Sequence, residues 1–308
     1  MRIFNVGFRT ESFGPFAHLF QKIAREKYEF DLKPVPKFGR GEEAELSILG
    51  GELDFLLGNH YTPIAAKARG VHICWLAVPM SEHNYKIVTR PEIQSVDELK
   101  GKTVLLPVGR CPAINMILAL RKIGLEDKVQ QKTVKGERGN RYYNNSLLTK
   151  LKEGEGDAVL VDSPLDIAAR RMGLETFATP RLDVIAGPCI TTTPAFARKE
   201  PAMTRDLLKA YLESIHAFKT NKKLVVDLLL EQGSMERDDI ELIDAWYTHA
   251  AGRMAARPFP TPSALEWTQA KAMVDYPEAQ GVNALRVLEM DYLLDLDREG
   301  FIDKLWLG

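Results

Sequence analysis

The sequence predicts an α/β protein built as two units, with a helical C-terminal third. Three observations carry this. Strand and helix signals alternate from the N-terminus to about residue 190, the pattern of mainly parallel sheets covered by helices. The alternation breaks at an extended run near Tyr85 and then restarts. From Pro201 onward the pattern is almost all helix.

Taken in order, Arg2 to Phe8 reads as a strand and Pro15 to Glu26 as a helix. Glu29 to Val35 is a second strand, and Glu42 to Leu49 a short helix closed by Gly50 and Gly51. Asp54 to Leu57 is a short buried strand. Thr62 is expected to cap a helix with Pro63 at its first position. Val71 to Val78 and Tyr85 to Thr89 are strands, the latter leaving the first unit. Val96 to Leu99 forms one turn ended by Gly101, a left-handed stop. Thr103 to Leu106 is a buried aliphatic strand, Ala113 to Ile123 a helix, and Gln131 to Val134 a strand. A helix spans 145 to 153, Asp157 to Val161 is a strand, and Ser163-Pro164 opens a further helix. Thr176 to Ala178 and Val184 to Thr192 are extended and are expected to return to the first unit. Ala256 to Pro262 is a Pro-rich loop. The domains expected are 1–86 plus 188–308, and 87–187.

The chain of 308 residues is long enough for two such units. Its 45% hydrophobic and 27% charged residues exclude disordered and fibrous classes. A formal charge of -1 gives no field favouring nucleic acid or an anionic membrane. No run reaches the roughly 20 apolar residues of a membrane span. Met1-Arg2 leads directly into a strand, so the expectation is a cytoplasmic protein, or a periplasmic one whose signal was trimmed. Cys74, Cys111 and Cys189 are an odd set without CxxC spacing, which suggests neither disulfides nor a metal site. G-x-G-x-x-G, P-loop and G-x-S-x-G motifs are absent, so no cofactor is expected.

Several stretches carry a family resemblance. Ser95-Val-Asp-Glu-Leu-Lys-Gly-Lys102 opens the second unit, and Leu49-Gly-Gly-Glu-Leu-Asp-Phe55 precedes a strand. Gly154-Glu-Gly-Asp-Ala-Val-Leu160 repeats the latter's logic. Lys199 to Arg205 with Leu207, Tyr211 and His216 to Lys219 follows, and Glu299 to Lys304 closes the chain. In order and spacing they resemble the sulfonate, nitrate and thiamine-precursor branch of solute-binding proteins, within the type II periplasmic-binding-protein superfamily. The resemblance implies a two-lobed α/β fold with two crossover strands and a ligand cleft between the lobes. It also implies a small organic anion as ligand and a membrane permease as partner in the transport version. The superfamily includes cytoplasmic lyases as well, among them a sulfinate desulfinase and a decarboxylase, so fold leaves function open.

In such a fold the loops at strand carboxyl ends line the cleft. In Arg9-Thr-Glu-Ser-Phe-Gly14, Arg9 could pair an anion, Glu11 act as base or acceptor, and Ser12 accept from backbone N–H groups. The alternative is a solvated loop in which Arg9 and Glu11 pair with each other. In Lys37-Phe-Gly-Arg-Gly-Glu42, Phe38 could stack on a flat ligand and Arg40 neutralise it; the alternative is an ordinary turn. The desulfinase has a similar loop in a different order, and its nucleophilic cysteine falls near Glu11, which cannot do that chemistry.

Asn59, His60 and Tyr61 follow a buried strand, where His60 could donate to an anion or move a proton. Glu82 and His83 could converge with His60, but no spacing supports a metal site. Arg110 and Cys111 sit where a helix starts, which favours anions and lowers a thiol pKa. Cys111 is either a nucleophile or a small residue holding a ligand oxygen. Arg141 is a candidate anion clamp, with Tyr142 or Tyr143 as a stacking face. Asp162 could orient a ligand hydroxyl or cap the next helix. Cys74 and Cys189 are expected in the core, and His18, His216 and His249 as structural residues without acidic partners.

The function expected is binding of an aromatic carboxylate or sulfonate for an ABC-type transporter. The alternative is a cytoplasmic decarboxylase or desulfinase in which His60 transfers a proton with Glu11 or Cys111. A ligand sensor without chemistry is the third reading.

Overall fold

The computed structural model describes residues 1–8, 14–35, 41–58, 60–108, 110–135, 143–231 and 235–307. The chain begins with β1 (Arg2–Phe8), α1 (Gly14–Lys27), β2 (Phe30–Val35), α2 (Gly41–Leu49), β3 (Phe55–Leu57), α3 (Thr62–Ala68) and β4 (Cys74–Ala77). Next come β5 (Met80–His83), β6 (Lys86–Thr89), β7 (Thr103–Pro107), α4 (Arg110–Lys122), β8 (Gln130–Val134), α5 (Tyr143–Lys152) and β9 (Ala158–Val161). Then follow α6 (Leu165–Arg171), β10 (Glu175–Ala178), β11 (Leu182–Ala186), β12 (Ile190–Thr192), α7 (Pro194–Lys199), α8 (Pro201–Thr220) and α9 (Lys222–Glu231). The chain closes with α10 (Ile240–Arg253), α11 (Pro262–Asp275), α12 (Asp291–Arg298) and α13 (Phe301–Leu307).

These elements form two compact units. The first comprises Met1–Ser81, Val184–Arg237 and Ala250–Gly308, and the second Glu82–Asp183 and Asp238–His249. The chain passes between them within β5 and again within β11. In the first unit the strand order is β2-β1-β3-β12-β4. β1 pairs in parallel with β2 and β3, while β12 runs antiparallel to β3 and β4. Parallel strands buried on both faces need near-continuous apolar runs, which Phe55, Leu56 and Leu57 supply. Phe16 and Phe20 of α1 pack edge-on against Tyr211 of α8, and Phe20 also meets Phe55. All four aromatics are fully buried, and such pairs each add about 0.5–1.5 kcal/mol beyond the area they bury.

In the second unit the order is β10-β6-β9-β7-β8. β7 is parallel to β8 and β9, and β6 is antiparallel to β9. Leu105, Leu147, Leu151, Val159 and Val161 share one buried cluster.

Several expectations change. A short strand, β5, occupies Met80–His83 just before the expected strand from Tyr85. Thr176 to Ala178 does not return to the first unit: β10 pairs antiparallel with β6 in the second. Val184 to Thr192 is not one extended run, because Gly187, at φ +79°, turns the chain between β11 and β12. α4 begins at Arg110 rather than Ala113, since Pro112 lacks only an N–H that the first turn would leave unbonded anyway. Thr62 does not cap α3; Tyr61 holds the cap position without a side-chain bond. The domain expectation assigned every C-terminal helix to the first lobe, whereas Asp238–His249 clusters with the second unit.

Candidate functional site

The described candidate residues form one group in each unit. In the first unit, β3 ends at Leu57, and the chain turns through Gly58 into His60 and Tyr61 before α3. Gly58 is tied at both ends of its peptide: its N–H donates to Cys189 O at 2.8 Å, and its carbonyl accepts from Thr191 Oγ1 at 2.7 Å. His60 Nε2 lies 2.7 Å from Gly187 O. A carbonyl only accepts, so Nε2 carries the hydrogen. His60 was expected either to face a ligand or to be satisfied across the lobes. Its described partner lies in its own unit.

Tyr61 Oη donates to Asp275 Oδ2 at 2.8 Å. Lys271 Nζ stands 5.3 Å from the centre of the Tyr61 ring. Both partners come from α11, and sequence reading missed both. A signal was present: Leu265, Thr268, Lys271, Ala272 and Asp275 recur at helical spacing, so Lys271 falls on the apolar stripe. A desolvated cation over an aromatic face contributes about 2 kcal/mol, which offsets part of the cost of burying it.

In the second unit, His83 Nδ1 lies 3.2 Å from Asp162 Oδ2. His83 also stacks on Tyr85, with centroids 5.3 Å apart and planes 14° from parallel. The carboxylate can only accept, so Nδ1 donates. His249 Nε2, from α10, stands 3.9 Å from Asp162 Oδ1. Sequence spacing gives His249 no acidic partner; the fold brings Asp162 beside it. No spacing in sequence could have found it, because 87 positions separate the two residues.

Asp162 does not cap α6. The cap position is Pro164, with no side-chain bond, and the Asp162 carboxylate is turned to the imidazoles instead. The Ser163–Pro164 peptide is cis. Cys111 lies half-buried in the first turn of α4, which follows β7. β7 and β9 are parallel neighbours, so Cys111 and Asp162 belong to the same carboxyl end of that sheet. The backbone of Arg110 starts α4.

Cys74 and Cys189 are core residues, as expected, and burial pushes both thiols well above their ordinary range. His18 Nδ1 meets Gly14 O in its own helix, and His216 packs edge-on against Trp306. Glu82 pairs with Arg181 at 3.0 Å and accepts from Asn84, rather than converging with His60. Arg9, Glu11, Ser12, Phe38, Arg40, Asn59, Arg141 and Tyr142 lie outside the described residues. Among the described residues, no group of three His, Cys, Asp or Glu side chains has the geometry to hold a metal ion.

The model of the NMT1/THI5-like family matches residues 37–222. The chain matches no curated protein by sequence. Its fold is similar to the periplasmic aliphatic sulphonate-binding protein SsuA from Escherichia coli, with a TM-score of 0.67 and 17% identity, covering 93% of this chain and 92% of that one. A putative sulfonate ABC transporter's periplasmic sulfonate-binding protein SsuA, from Methylobacillus flagellatus KT, gives a TM-score of 0.67 at 16% identity over 98% and 96%. A DSZB mutant in complex with biphenyl-2-sulfinic acid gives 0.62 at 11% identity over 97% and 100%. At these identities the likeness shows the fold, a two-lobed periplasmic-binding-protein-like architecture. Among the described residues, no helix is long and apolar enough to cross a membrane.

Proposed function

From the premise that this chain belongs to the NMT1/THI5-like family, we propose that it is a solute-binding protein for a small organic anion, an aromatic carboxylate or sulfonate. It would hand this anion to an ABC-type permease. The observation that carries the reading is where the candidate residues stand. His60 follows β3, Cys111 follows β7 and Asp162 follows β9, each at the carboxyl end of a parallel strand. Open α/β sheets bind ligands at that end. Two sulfonate-binding proteins of the same fold support the ligand class.

In this reading the start of α4 supplies donors to the anion, and His60 donates through Nδ1 in its protonated form. Arg9, Arg40 and Arg141 are the proposed charge partners, and Phe38 and Tyr142 the stacking faces for an aromatic body. Ser12, Asn59 and Tyr61 are proposed as further polar contacts. The domain division proposed for ligand closure is 1–86 with 188–308 against 87–187, with Asp238–His249 carried by the second unit. The proposed place of work is the periplasm, with the permease in the adjoining membrane.

A second reading, a lyase on the same fold, is favoured by one observation. His83 is oriented by Asp162 and by its stack on Tyr85, the arrangement that prepares an imidazole for proton transfer. The DSZB complex supports it. One experiment separates the two. The protein is incubated with benzoate and with benzenesulfinate, and released CO₂, sulfite and remaining ligand are measured. The binding reading expects every ligand recovered unchanged. Catalytic release of sulfite or CO₂, abolished in H83Q, would replace it with the lyase.

A further inference from the structure

We infer that Lys271 is a positioning residue of the candidate site, acting through Tyr61 on the turn that carries His60. Its effect on ligand rests on the function proposed above, whereas the positioning itself does not. Lys271 is fully buried, at 0% exposure. Lysine is almost never so placed unless its ammonium is matched by partners. One partner is the face of the Tyr61 ring. The same ring donates its hydroxyl hydrogen to Asp275, four residues further along α11 and so on the same helix face. One helix therefore holds Tyr61 from two directions, by the face and by the hydroxyl.

The same face also holds the other half of the His60 bond. Thr268, one turn before Lys271, accepts the backbone N–H of Ile185 at 2.9 Å. Lys271's charge acts on the thiol of Cys189. Ile185 and Cys189 flank Gly187, whose carbonyl meets His60. Tyr211 Oη adds a bond to Pro188 O at 2.7 Å. Thus α11 secures the imidazole side through Tyr61 and the carbonyl side through Ile185. The His60–Gly187 bond fixes the hydrogen on Nε2. If Tyr61 loosens, the imidazole gains freedom to rotate and to exchange tautomers.

The test is imidazole nitrogen NMR on the whole chain, with K271M, K271R and Y61F beside the native protein, and calorimetric titration with benzenesulfonate. In the native protein His60 is expected as one tautomer with a hydrogen-bonded Nε2 proton. K271M is expected to mix the tautomers and to weaken benzenesulfonate binding about tenfold. K271R keeps a cation over the ring and should restore both readouts. Y61F keeps the ring but loses the Asp275 bond, and should shift the His60 signals without unfolding the chain; it serves where K271M does not fold. A lower melting temperature with an unchanged His60 spectrum in K271M and Y61F would make Lys271 a packing residue and overturn the inference. If the native protein fails to bind benzenesulfonate while K271M still mixes the His60 tautomers, the functional reading fails and the positioning stands.

Discussion

His60 shows how a single bond sets what a residue can offer. Its Nε2 is committed to Gly187 O, so the hydrogen on that nitrogen is not offered to a ligand. The three cysteines divide by the same kind of local cause. Burial raises the Cys74 and Cys189 thiols, because a thiolate is not tolerated out of water. Cys111 is half-buried in the first turn of a helix, whereas the other two thiols are buried. At pH 8 a disulfide reagent is therefore expected to titrate one rapid thiol per native chain and all three after denaturation. The fast phase should vanish in C111S. A fast phase that survives that substitution would contradict this division. Sequence revealed the apolar settings of Cys74 and Cys189 directly, since hydrophobic runs surround both. It did not reveal the partners of His60 or Asp162. Gly187, Lys271 and His249 each come from segments remote in sequence, and only folding brings them close.

At the scale of elements, the turn between β11 and β12 is the most exacting feature of the first unit. Gly187 adopts φ +79°, and a Cβ there would stand 2.8 Å from Met80 Sδ. G187A should therefore cost about 1–2 kcal/mol from the left-handed backbone alone, read as a lower unfolding midpoint. It should also disturb the His60 imidazole signals, because the carbonyl that holds them moves. A second element-scale feature is the placing of Asp238–His249 with the second unit. Arg171 of α6 reaches Asp239 at 2.7 Å and also pairs with Glu241. The Arg171 hydrogen bond holds the Asp239 carboxyl below its ordinary range.

A depressed folded-state pKa gives a tie that is present above the unfolded carboxylate value, about 4, and lost as pH falls through the folded value. Hydrogen exchange over 240–249, corrected for intrinsic rates, should be faster in R171A than in the native protein at pH 7. The difference should disappear in acid. Equal protection at pH 7 would show that Arg171 does not hold this segment. Sequence placed a helix here but not its unit, because an exposed ion pair leaves no periodic trace. The Gly187-Pro188 pair, by contrast, was a visible breaker inside an otherwise extended run.

At the scale of the molecule, the two sheets were the most legible part. Alternating apolar strands and amphipathic helices specify parallel β-α units through periodicity alone, and β1 to α3 appear nearly where the pattern put them. What periodicity could not supply was strand order at the return. β10 has the composition of a crossing strand but pairs with β6 instead, since pairing depends on which edge is free and not on propensity. The same limit governs function. Fold and family are readable, while ligand identity depends on a few loop side chains.

The central claim is that this chain binds a small organic anion by its charge. The most direct measurement is calorimetric titration of the purified protein with benzenesulfonate and, separately, with neutral benzenesulfonamide. Saturable binding of one sulfonate per chain is expected, weakened in H60Q, with no heat from the sulfonamide. Equal binding of the neutral analogue, or no binding of benzenesulfonate, benzoate or ethanesulfonate, would contradict it.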